Sequence, residues 1–86
     1  NVIAQKGIKI YPVPASRVIY IEFENQCQSE VTYQIFDMSG RVVSRGTENF
    51  FTTRLEVDVS SLAKGYYIIQ LKTNSANFSG KIIITH

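Results

Sequence analysis

Hydrophobic and polar residues alternate with a period of two along most of this chain, and no window keeps a helical period through three turns. The short runs are rich in β-branched and aromatic side chains and are separated by Gly, Pro, Asn, Asp and Ser, the pattern of strands joined by turns. Seven strands are predicted: Gly7–Tyr11, Val18–Glu24, Val31–Asp37, Arg41–Arg45, Arg54–Val59, Tyr66–Thr73 and Asn77–Thr85. Their core faces read Ile19, Ile21 and Phe23, then Val31, Tyr33 and Ile35, then Leu55, Val57 and Val59, then Tyr67, Ile69 and Leu71, then Phe78, Ile82 and Ile84. Two sheets facing each other through these sets make one core. The expected fold is all-β, an immunoglobulin-like antiparallel β-sandwich of about seven strands.

The connections carry their own chemistry. In Asp37-Met38-Ser39-Gly40 the Asp side chain can bond the turn backbone and Gly can take a positive φ, so a tight hairpin is expected. Asn74-Ser75-Ala76-Asn77 is a second hairpin candidate. Pro12-Val13-Pro14 lacks two amide donors, which ends the first strand and swings the chain toward the other sheet. Leu62 and Gly65 precede Tyr67 at the corner between the fifth and sixth strands, where sandwiches place a tyrosine whose hydroxyl ties back to upstream backbone. Phe50-Phe51 is read either as tucked under the sandwich edge or as an exposed contact patch.

The 86 residues fit one domain, residues 1–86, and 44% hydrophobic with 19% charged is too apolar for disorder. Apolar runs such as Tyr66 to Ile69 are far shorter than the ~20 residues of a membrane-spanning helix, so no direct membrane insertion is expected. Nine basic and seven acidic residues are scattered along the chain, which argues against nucleic acid as a partner. The lone Cys27 precludes an internal disulfide. His86 is the only histidine, so neither a Ser/His nor a Cys/His catalytic pair nor a zinc site is expected, and no cofactor is implied. Glu22 and Glu24 alternate with Ile21 and Phe23 and read as the solvent side of an amphipathic strand, not as paired catalytic carboxylates.

Taken in order, the turn and corner motifs resemble the C-terminal sorting domain, type A, of proteins exported by the type IX secretion system of Bacteroidetes-type bacteria. Tyr11-Pro12-Val13-Pro14-Ala15 is similar to the family's Tyr-Pro-Asn-Pro-Ala opening, with Val13 where the family carries asparagine. Asp37-Met38-Ser39-Gly40-Arg41-Val42 resembles its Asp-x-x-Gly-Arg/Lys-Val segment, and the stretch from Asp58 through Leu62 and Gly65 to Tyr67 resembles its Asp-x-Ser-x-Leu-x-x-Gly-x-Tyr block. Phe78-Ser79-Gly80-Lys81-Ile82-Ile83-Ile84 resembles its closing strand.

The resemblance implies an address label at the end of a larger passenger: it enters the periplasm by the Sec route and accompanies the passenger across the outer membrane to the cell surface or the medium. A cell-surface sortase then typically removes it. Implied partners are the translocon, its shuttle proteins and that sortase. Gly80, Lys81, Ile82, Ile83 and Ile84 are read either as the signal surface, because a terminal edge strand can pair with a partner, or as the strand that only closes the sandwich. Tyr11, Pro12, Pro14, Asp37, Gly40, Leu62, Gly65 and Tyr67 are expected to be structural. Association of two copies through edge strands is a further expectation. The alternative is an immunoglobulin-like adhesion or carbohydrate-binding module, disfavoured by the lack of Trp and by a pattern that places most aromatics on core faces.

Overall fold

In the computed structural model, which describes residues 3–5, 7–27, 30–48, 52–74 and 77–85, the alternating segments form two four-stranded antiparallel sheets. The strands are β1 (Ile3–Gln5), β2 (Ile8–Tyr11), β3 (Val18–Cys27), β4 (Val31–Asp37), β5 (Val42–Glu48), β6 (Thr52–Asp58), β7 (Gly65–Lys72) and β8 (Asn77–Ile84). One sheet has the order β1-β2-β3-β6 and the other β5-β4-β7-β8. Every predicted core face turns inward. Ile19, Ile21, Val31, Ile35, Val59, Ile69, Leu71, Ile82 and Ile84 are fully buried, and Tyr33 and Phe78 pack against them from the margin.

Alternation explains this core directly: a strand that buries i and i+2 turns i+1 outward, so one wrong register would expose the whole set. The pairings Ile19↔Val57 and Ile21↔Leu55 in one sheet, and Ile35↔Ile69 and Tyr33↔Leu71 in the other, set like faces side by side. Each buried Ile or Leu contributes roughly 1.5–3 kcal/mol relative to exposure.

Three features differ from the sequence pattern. A short extra strand, β1, pairs with β2 through Ile3↔Ile10 and Gln5↔Ile8; three residues are too few to show a period. β3 continues to Cys27, beyond the predicted end at Glu24, because after a register shift between Glu22 and Cys27 the pairing with β6 resumes at Cys27↔Thr52. β5 begins at Val42 with one extra residue between the pairs Phe36↔Val42 and Ile35↔Ser44, a bulge that turns Val43 onto the core. Phe50, Phe51, Ser75, Ala76 and His86 lie outside the described residues.

Candidate functional site

The motifs that stand out in the sequence build the corners of the sandwich. After β2 the Tyr11-Pro12 and Val13-Pro14 peptide bonds are both cis, Val13 and Ala15 turn into the core, and the chain reaches the opposite sheet. There the Ala15 amide donates to the Ile83 carbonyl at 2.8 Å, and the Thr85 amide donates to the Ala15 carbonyl at 2.7 Å. A parallel bridge between Ala15 and Ile84 thus staples the start of the chain to the outer edge of β8. Val13, which stands where the resembled signature has asparagine, is buried at 9% exposure.

Asp37 organises the β4-β5 hairpin. Its Oδ1 accepts from the Ser39 amide at 2.9 Å, the Ser39 hydroxyl at 2.6 Å and the Arg41 amide at 3.1 Å, while Arg41 Nε lies 3.3 Å from Oδ2. The Ser39 hydroxyl and the flanking amides hold the Asp37 carboxyl below its ordinary range. Gly40 takes φ +90°, a conformation other L-residues rarely adopt.

Asp58 repeats the device where the chain leaves β6 for the second sheet, its Oδ1 accepting from the Ser60 hydroxyl at 2.6 Å and the Ser60 amide at 2.8 Å. These bonds lower its pKa as well, the hydroxyl foremost. Leu62 then drops into the core and its amide donates to the Val59 carbonyl, before the Tyr67 hydroxyl donates to the Ala63 carbonyl at 2.5 Å. Asp37 and Tyr67 face each other in the β4-β7 register, so hairpin and corner meet at one end of the sandwich and line an open groove of about 430 Å³.

The expected signal strand divides by parity, which corrects part of its reading as a surface. Ile82 and Ile84 are 0% exposed and belong to the core, because residues two apart share a face. Lys81 is exposed, Ile83 half-buried and outward, and Gly80 half-buried opposite Ile69. Lys81 Nζ lies 4.7 Å from the centroid of the Tyr66 ring.

The outer faces need a second correction. Among the eight described aromatic residues, Tyr11, Tyr20, Phe36 and Tyr66 point outward, so core faces do not hold the majority. Tyr11 and Tyr20 stand 5.6 Å apart on the first sheet but are tilted by 36°. The Tyr11 hydroxyl donates to Glu22 at 2.6 Å, which raises its pKa, and the Arg54 guanidinium covers the Tyr20 ring at 4.7 Å. No flat open platform for a sugar results from this pair. On the second sheet the outward apolar residues are Phe36, Val42, Tyr66, Ile68 and Ile83, with exposed Met38 at the adjoining turn. The sequence carries their signature in the unbroken runs Tyr66 to Ile69 and Ile82 to Ile84, where apolar residues fill both phases of the alternation.

Among the described residues no group of three His, Cys, Asp or Glu side chains could hold a metal ion. Comparison with solved structures finds a DUF3244-family protein from Bacteroides vulgatus with an immunoglobulin-like β-sandwich fold, at TM-score 0.76 and 11% identity, covering 96% of this chain and 90% of that one. That likeness establishes the fold. A search of curated proteins gives no match. The secretion system C-terminal sorting domain family matches residues 9–85, which takes in all four motifs from Tyr11 to Ile84, and the chain belongs to that family, the sorting domains of type IX secretion.

Proposed function

We propose that this domain is a non-catalytic signal that carries a passenger from the periplasm across the outer membrane through the type IX translocon, and that a cell-surface sortase then removes it. Membership of the family supports export across the outer membrane and contact with the secretion machinery in general. The observation that carries the finer reading is the division of labour among the motifs. Three of them are spent on corners and a hairpin, whereas the fourth, β8, lies at a sheet edge and turns Lys81 and Ile83 outward. A protein without a reaction to perform acts through such a surface, and the outward side chains of β8 are what it offers a partner, since the backbone at its outer edge is bonded to Ala15.

The test is a fusion of residues 1–86 behind a Sec signal and a neutral reporter in a host with the type IX machinery. The reporter is expected at the cell surface, and deletion of residues 80–86 should leave it in the periplasm. Because deletion removes Ile82 and Ile84 from the core, Lys81→Ala serves as the variant that changes the surface alone. Failure of the intact fusion to leave the periplasm overturns the proposal.

A further inference from the structure

The two outer faces differ in how their charges are arranged. On the β1-β2-β3-β6 sheet, Lys9, Glu22 and Arg54 stand side by side in one register row, so cation and carboxylate compensate each other. On the β5-β4-β7-β8 sheet the outward positions include Arg45, Lys72 and Lys81, and among the described residues none of its outward positions carries a carboxylate.

An apolar patch occupies one half of this face, with Lys81 in its row, Arg45 in the next outward row and Lys72 in the row beyond. Val42, Phe36, Ile68 and Lys81 form one row across all four strands, a span of about 14 Å at the usual strand spacing, and Tyr66 with Ile83 forms part of the outward row on its other side. At the turn, Met38 is 63% exposed and joins Phe36 and Ile68 in lining an open groove of about 400 Å³. An apolar patch holding Tyr66, Phe36 and Met38 with cations beside it has the composition of a protein interface.

We propose that this sheet face docks an acidic protein surface that brings apolar side chains of its own, and that the secretion machinery grips the domain here; the inference rests on the sorting function proposed above. Charge complementarity selects the occupant. The outward strand positions hold Arg45, Lys72 and Lys81 and no carboxylate, and Asp37 in the groove lining is already paired with Arg41, so a partner's Asp and Glu would complement this face while its apolar groups cover Phe36, Ile68 and Ile83. An anionic membrane fits less well. Basic segments that hold to lipid headgroups gather about 4–8 Lys or Arg in one cluster, whereas the three cations here lie on separate strands in separate rows.

The experiment places the photo-crosslinker p-benzoylphenylalanine in the reporter fusion at Tyr66 or Ile83 on this face and, for comparison, at Lys9 or Glu56 on the other. Adducts are scored in the whole cell envelope, whether or not the reporter reaches the surface. Failure of export therefore counts against the sorting reading alone.

The expected result is a protein adduct at least about fivefold stronger from Tyr66 and Ile83 than from Lys9 and Glu56. Its crosslinked peptide should carry Asp or Glu beside apolar residues. Lys72→Glu with Lys81→Glu should cut the adduct at least about tenfold at unchanged melting temperature, a loss of about 1.4 kcal/mol or more in binding. Reversing the charge of the partner's acidic residues should restore it. Equal or stronger adducts from Lys9 and Glu56, no adduct from either face, or a yield indifferent to the charge reversals overturns the proposal. So does a lipid adduct, or Lys72- and Lys81-dependent sedimentation of the purified domain with phosphatidylglycerol vesicles, since either assigns the face to a membrane.

Discussion

The hydroxyl of Tyr67, a residue 7% exposed, donates to the carbonyl of Ala63 four positions upstream at 2.5 Å. This bond joins those of Asp58 with Ser60 and of Leu62 with Val59 in closing the corner by which the chain passes from β6 in one sheet to β7 in the other. Tyr67→Phe keeps the ring in the core and removes only the donor, so it should lose about 0.5–1.5 kcal/mol. Urea unfolding should show a lower midpoint at constant m-value; an unmoved midpoint means the bond adds nothing to the corner. Surface delivery of a fused passenger should survive the change.

Gly40 presents the complementary case, a position decided by backbone and not by space. A Cβ there would meet nothing within 4 Å, yet φ is +90°. Gly40→Ala should therefore cost on the order of 1–2 kcal/mol through conformation alone, and Gly40→Asn less, because Asn tolerates positive φ better. Equal midpoints for the Ala variant and the parent protein would contradict this account of the Asp-x-x-Gly turn.

Acid should unravel both Asp-centred turns. The carboxyls of Asp37 and Asp58 are lowered chiefly by the hydroxyls of Ser39 and Ser60. The unfolded chain therefore binds more protons than the folded one in the carboxylate range, and stability rises with pH there. The contribution is in place above the unfolded value of about 3.9 and fades as pH falls through the lower folded values. Asp37→Asn keeps an acceptor for the Ser39 amide but cannot ionise, so the fall in stability below about pH 4 should be shallower than in the parent. Urea midpoints measured across that range decide it; parallel curves would show that the Asp37 charge is not linked to folding.

Association of two copies should depend on an edge, and the sheet orders make β5 and β8 the edges of the second sheet. The end of β8 is already stapled by Ala15, which leaves β5, Val42–Glu48, as the better template. Sedimentation should reveal a weak, reductant-insensitive dimer, and amide exchange in residues 42–48 should slow as concentration rises. A monomer at every concentration removes this expectation.

The core was legible because alternation is a physical consequence of the pleat: Ile19 and Ile21 could only point together, and so could Ile69 and Leu71. The corners were legible because Asp, Gly and Pro act locally, as Asp37 and Gly40 do. What alternation hid was the outer face. Phe36 and Ile68 sit beside Ile35 and Ile69 in sequence, and only the register shows that they line up with Val42 across three strands. The closing strand was hidden for the same reason, since Ile82, Ile83 and Ile84 are chemically alike and differ only in phase.

That difference in phase separates folding from signalling in one pair of substitutions. Ile82 is 0% exposed in the core, while Ile83 faces outward across from Tyr66. Ile82→Ala empties a packed volume and should cost about 2–5 kcal/mol. Ile83→Ala removes a half-buried side chain from the sheet surface and should cost no more than about 1 kcal/mol, within the range of ordinary surface changes. If β8 served only to close the sandwich, passenger export would follow stability, and Ile82→Ala would be the more damaging change. If its outward side is read by the secretion machinery, Ile83→Ala should reduce surface delivery several-fold at nearly unchanged melting temperature. A second-site stabilising substitution should then rescue export of Ile82→Ala but not of Ile83→Ala. Rescue of both would mean that export needs a folded domain and nothing more from this face of β8.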